Sequence, residues 1–181
     1  MSLVGRLFRS PVTRGAPMRQ PTVKAWLLKS ALRDMLVEAD RVFPLETGGV
    51  MMGYWPEAGD EVVIYQVSGP GPLAVHSKHA FVPDGDYQEA EVARAYEESG
   101  RVNSYLGDWH THPREGVYMS PKDKRTLLRI ARSPGARAPV PLMAVLGGGD
   151  PDWFIGIWRY SRGYRRRLTL RDIISLEINF F

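Results

Sequence analysis

Apolar residues along this chain recur at two periods, and the changes between them mark out the elements. "VKAWLLKSALRDMLVEADRVFP" (23–44) places apolar residues at helical spacing, and Pro44 ends the run. "ETGGVMMGYW" (46–55) reads as a turn entering a buried strand, with Gly48 and Gly49 permitting close backbone approach. A strand is expected over 61–68 ("EVVIYQVS") and a loop over 69–78. The pattern then predicts a helix over 84–100 closed by Gly100, a strand over 103–112 and a helix over 120–135. Three further runs, 140–148, 152–161 and 164–170, read as strands. Helices and strands alternate early and strands cluster late. That order predicts an α/β fold, a mixed β-sheet flanked by helices.

Composition narrows the class. The 181 residues suit one domain, and 44% apolar content can supply a sizeable core. The chain has no cysteine, which excludes disulfides, thiolate metal sites and cysteine nucleophiles. No apolar run approaches the ~20 residues of a membrane helix, and no apolar segment of a secretory signal follows the amino terminus. The expected location is cytoplasmic, with no membrane partner.

Charge divides the chain unevenly. Seven of its 24 Lys and Arg stand in residues 1–33, which hold no Asp or Glu, so the remainder carries 17 basic against 20 acidic residues. Residues 1–20 are expected to form a basic flexible arm and residues 21–181 a single domain. The acid-free start shares features with a mitochondrial transit peptide, but Pro11, Pro17 and Pro21 interrupt any amphipathic helix there. A second basic run lies at 159–171. Such runs are more often solvated than bound to nucleic acid, which is not the expected partner.

The chemistry concentrates in "GDWHTHPREGVYMSPKD" (107–123). On an extended strand, His110 and His112 share one face, and two imidazole nitrogens there can reach one zinc ion at ~2.0–2.1 Å. Pro113 cannot donate to a sheet ladder and should end the strand. Ser120, Pro121 and Asp123 fit the N-cap, N1 and N3 positions of a helix, so Ser120 and Asp123 read equally as a capping box. A strand ending in two histidines, a turn, and a helix whose first turn offers a carboxylate also make a three-ligand site. Its fourth tetrahedral position is left open, as catalytic zinc requires. His76 could in principle add a ligand, although His76 and His79 read first as loop histidines. Trp109 should face the core, and Asp108, on the face of His110, could orient a ligand.

"HTHPREGVYMSPKD" has the form H-x-H-P-x6-S-x2-D and resembles the signature of the JAMM (MPN+) metalloproteases, with Glu46 of "LETGGVMMG" matching that family's upstream glutamate. The matched elements run from Glu46 to Asp123. Small stand-alone bacterial members, some linked to ubiquitin-like conjugation operons and antiphage systems of the CBASS type, are especially similar. The resemblance implies one zinc ion held by His110, His112 and Asp123. It makes Glu46 the general base and Ser120 the donor to the oxyanion. The implied activity is a zinc peptidase or isopeptidase acting after the extended carboxyl-terminal tail of a ubiquitin-like or conjugated protein. The alternatives are a non-catalytic scaffold of the same fold, or an interaction module for protein or nucleic acid. Zinc deaminases need a P-C-x-x-C pair and zincins an H-E-x-x-H helix, and neither is present.

Overall fold

The helix expected over 23–44 divides in two. Lys24–Leu27 is a strand, β1, and Lys29–Val42 is the first helix, α1. Ala25 and Leu27 are buried while Lys24 and Trp26 are half-buried, the alternation of a strand within a sheet. Four residues are too few for periodicity to separate strand from helix, and pairing with two neighbours decides the outcome. The computed structural model describes residues 23–57, 59–150, 152–160 and 172–181. The basic arm over 1–20 and the strand expected over 164–170 lie outside these residues.

The remaining strands are β2 (Gly48–Tyr54), β3 (Glu61–Val67), β4 (Val75–His76), β5 (Phe81–Val82), β6 (Ser104–Pro113), β7 (Leu142–Gly149), β8 (Asp152–Tyr160), β9 (Ile173–Ser175) and β10 (Glu177–Phe180). Two more helices, α2 (Gly85–Glu98) and α3 (Pro121–Arg132), complete the chain order. Eight strands form one sheet in the order β10-β1-β3-β2-β6-β7-β8-β9. β1 runs parallel to β10 and β3, β6 runs parallel to β7, and the other pairings are antiparallel. The mixed sheet expected from the sequence is therefore present. β4 and β5 form a small separate hairpin inside the segment expected as a loop. β9 and β10 were not expected from the sequence.

Helices cover both faces. α1 buries Ala31, Met35 and Ala39 at every fourth position, against a face that includes Met51, Trp109, Ala144 and Ile157. Neighbouring positions on the same strands point the other way. There Ala95 of α2 packs on Val50 and Met52, and Leu127 and Leu128 of α3 pack on Met143, Val145 and Tyr160. No helix among the described residues is long and apolar enough to cross a membrane.

Two glycines make the centre of the sheet possible. Gly48 pairs with His110 and Gly49 with Trp109. A Cβ on Gly48 would stand 2.2 Å from the Trp109 carbonyl oxygen, and one on Gly49 2.0 Å from that of Ser68. Gly49→Ala should therefore cost about 1–3 kcal/mol, the usual range for overpacking. A melting experiment should show a fall of roughly 2–4 °C per kcal/mol in a domain of this size. Gly69→Ala, where a Cβ meets nothing within 4 Å, should melt close to wild type. Equal melting temperatures for the two variants would show that the strand yields at Gly49 without cost.

Candidate metal centre

β6 is the central strand of the site. Its alternation turns Trp109 into the α1-side core, where the ring is 1% exposed and its Nε1 donates to the Ser68 carbonyl at 2.9 Å. Asp108, His110 and His112 consequently face the side carrying α2 and α3. The strand ends at Pro113, as expected from the missing amide hydrogen. The following loop lies directly on β7: a Cβ on Gly147 would meet the Gly116 carbonyl carbon at 2.5 Å.

The chain returns at Ser120 and starts α3 with a complete capping box. The Ser120 hydroxyl accepts from the Asp123 amide at 3.2 Å, and the Ser120 amide donates to Asp123 Oδ2 at 2.7 Å. The cap and the three-residue cluster are thus the same piece of structure. Holding Asp123 at N3 fixes its carboxylate against β6. Its Oδ1 stands 3.3 Å from His110 Nε2, and Oδ2 stands 3.5 Å from His112 Nε2. The two Nε2 atoms are 3.1 Å apart.

This donor set fits a metal ion. His110, His112 and Asp123 form the one group of three or more potential ligands found among the described residues; His76 is not part of it. Ligand atoms ~2.0–2.1 Å from a tetrahedral ion stand about 3.3 Å from one another, close to the separations seen. All three residues are buried. Two facing imidazole nitrogens cannot both present lone pairs favourably unless a proton or a cation lies between them.

Charge in the cluster is finely opposed. Burial alone would raise the Asp123 carboxyl, but hydrogen bonds with both histidines and Ser120 outweigh it and hold the group well below the usual carboxylate range. Burial disfavours the charged form of His112, yet Asp123 and Glu46 together raise it above the ordinary imidazole value. The buried Nδ1 of His112 has no hydrogen-bond partner. Packing aims this ring: Tyr118 lies against it with centroids 5.0 Å apart. Tyr118 donates in turn to Glu115. Nothing in the spacing of the sequence singled out Tyr118.

Glu46 joins the same cleft, whose volume is about 590 Å³ and whose lining also includes Ser120. Burial raises the Glu46 carboxyl above its ordinary value against the pull of both histidines. Its backbone is tied on both sides by the β4–β5 hairpin. The Glu46 amide donates to the Ser77 carbonyl at 2.8 Å, and the Glu46 carbonyl lies 2.9 Å from His76 Nδ1. The next residue is locked to β6, since Thr47 and Thr111 exchange bonds at 3.0 and 2.9 Å. His76 therefore holds the glutamate's main chain. Asp108 also lines the cleft, and its Oδ1 accepts from the Tyr105 hydroxyl at 2.6 Å.

The family of prokaryotic homologs of the JAB domain matches residues 28–159. A protein of Sinorhizobium fredii named "Probable metalloprotease y4qB" is 42% identical over 134 residues, which are 74% of this chain and 81% of that protein. A "CD-NTase/cGAS isopeptidase" of Vibrio cholerae is 30% identical over 84 residues, 46% of this chain and 53% of that protein. A protein of the same printed name from Escherichia coli is 27% identical over 108 residues, 60% of this chain and 65% of that protein. The solution structure of DSY2949 from Desulfitobacterium hafniense superposes with a TM-score of 0.61 at 19% identity, covering 87% of this chain and 92% of that one. That likeness concerns the fold alone.

The capping geometry has a stability consequence. Ser120→Ala should lower stability by about 1 kcal/mol, read as a lower melting temperature, while Ser120→Thr should retain most of the cap. If the alanine variant melts with wild type, the serine does not hold the start of α3.

Proposed function

The chain belongs to the family of prokaryotic homologs of the JAB domain, and from that premise we propose that it is a zinc-dependent isopeptidase or peptidase acting on a conjugated protein. Hydrolysis is the chemistry of the named relatives, one a metalloprotease and two isopeptidases. The observation that carries the reading is the convergence of His110, His112 and Asp123 at a cleft also lined by Glu46 and Ser120.

His110 and His112 offer Nε2 atoms and Asp123 a carboxylate to one zinc ion, although iron or cobalt would suit the same donors. Zinc held there supplies Lewis acidity at the scissile carbonyl and lowers the pKa of water from 15.7 to about 7. Glu46 accepts the proton that the attacking water loses and passes it to the leaving nitrogen as the C–N bond breaks. Its burial suits this task, because a carboxylate raised towards neutrality both takes and releases a proton readily. Ser120 uses one lone pair for the helix cap, so its hydroxyl hydrogen is left to donate to the oxygen that gains charge.

An extended tail ending in small residues suits a cleft beside a sheet. JAMM metalloproteases selective for linked ubiquitin carry a sizeable insertion after the metal aspartate. Here only nine residues, Ser133 to Pro141, separate α3 from β7. This supports a simpler deconjugase or processing enzyme, with a ubiquitin-like or similarly conjugated protein as substrate. The two isopeptidase relatives support a place in a bacterial antiphage system.

Two measurements test the reading. Elemental analysis should find about one zinc per chain, lost in His112→Ala; no metal after zinc is supplied would favour a scaffold. Incubation with ubiquitin-like fusions should give cleavage at the tail, reduced about 10²–10⁴-fold by Glu46→Ala. Undiminished cleavage by that variant would exclude Glu46 as the base.

A further inference from the structure

The cleft does not end at the metal ligands. Arg125 and Arg129 line it and also line a second groove of about 500 Å³, whose other walls are Leu128, Arg132 and Ser133. The two cavities therefore adjoin along α3. Lys122, Arg125, Arg129 and Arg132 are spaced at i, i+3, i+7 and i+10, which gathers them on one face of the helix. All four are exposed. The charged residues lining the second groove are all cations, whereas the carboxylates Glu46, Asp108, Glu115 and Asp123 stand at the metal end.

Other helices pair part of their charge, although Lys29 and Arg33 of α1 also make no ion pair within 4 Å among the described residues. Arg41 of α1 sits on Glu38, and Arg94 of α2 sits on Glu91 and Glu98. On α3, Lys122, Arg125 and Arg129 make no ion pair within 4 Å among the described residues; at longer range Lys122 acts on Glu46 and Arg129 on Asp108. Arg125 and Arg129 are like charges at i, i+4, and Lys122 lies at the positive end of the helix dipole. Both placements work against the isolated helix, and an anionic partner would relieve both.

We propose that the α3 groove is a docking surface for an acidic, extended segment of the protein substrate, next to the bond cleaved in the adjoining cleft. The choice of occupant rests on the amide-hydrolase reading given above. From Lys122 to Arg132 the helix rises about 15 Å, the length of roughly four to five residues of extended chain. The groove floor is aliphatic, formed by Leu128, and none of its lining residues is aromatic. A single-stranded nucleic acid would find no ring there on which to stack its bases.

The test uses the full-length Glu46→Gln protein and fluorescein-labelled peptides in an anisotropy titration. One peptide carries four consecutive glutamates, and a second replaces them with glutamines. A single-stranded oligonucleotide of equal charge is the third probe. The acidic peptide should bind at least ~10-fold more tightly than the neutral one, with affinity falling as salt screens the contacts. Arg125→Glu with Arg129→Glu should remove that preference, and the paired glutamine substitutions should weaken it. Arg33→Glu on α1 should leave it unchanged. Thermal melting checks that each variant is folded. Equal binding of acidic and neutral peptides, or a preference that survives the double reversal, overturns the proposal. Tighter binding of the oligonucleotide assigns the surface to nucleic acid instead. Cleavage of fusions without an acidic preference would overturn this proposal alone. An intact preference in a protein that cleaves nothing would instead leave the groove and remove the hydrolase reading.

Discussion

Gly48 stands opposite His110 and Gly49 opposite Trp109, and this register leaves no room for a side chain at either glycine. The close approach of β2 to β6 delivers Glu46, two residues before β2, to the end of β6 that carries the histidines. It also aligns Thr47 with Thr111, whose mutual bonds fasten the two strand ends together. A shift of one residue in this pairing would turn the histidines towards the α1 core and bring Trp109 to the cleft. The site thus depends on strand register before it depends on any acid, base or metal.

Asp123 shows how economically the other half is built. One carboxylate closes the start of α3 through the Ser120 amide and faces both histidines. Helix formation therefore aims the group that completes the cluster. The two readings of Ser120 and Asp123 left open by the sequence, cap or chemistry, describe compatible parts of one geometry. The opposition between burial and charge at Asp123 resolves in favour of the ionised form, the form that a cation requires.

Legibility in the sequence followed the range of the interactions. β6 and α3 were readable because alternation, a terminating proline and a serine three residues before an aspartate act locally. The mixed sheet followed from the order of elements. β1 was read as helix because its four residues continue the apolar pattern of α1, and only its pairing with β3 and β10 identifies it. The β4–β5 hairpin has strands of two residues each, too short to leave a periodic trace, and the grip of His76 on Glu46 joins residues 30 apart. Asp108 is on the expected face, and the bond its Oδ1 accepts from Tyr105, three residues earlier on the same strand, is a contact that spacing does not announce. The ring of Tyr118 against His112 is likewise a tertiary contact that spacing does not encode.

The loop from Arg114 to Met119 rests on β7 through backbone, with Gly116 seated where Gly147 has no side chain. Its own side chains add to the anchorage: Arg114 lies over the Phe43 ring, Tyr118 lies against His112, and Met119 is buried with the α3 core. Substitutions along the rim of the cleft must therefore respect the contacts of Arg114, Tyr118 and Met119 as well as the space at Gly147. The path of the cleft's rim is in this way set jointly by a neighbouring strand and by the loop's own ring and core contacts.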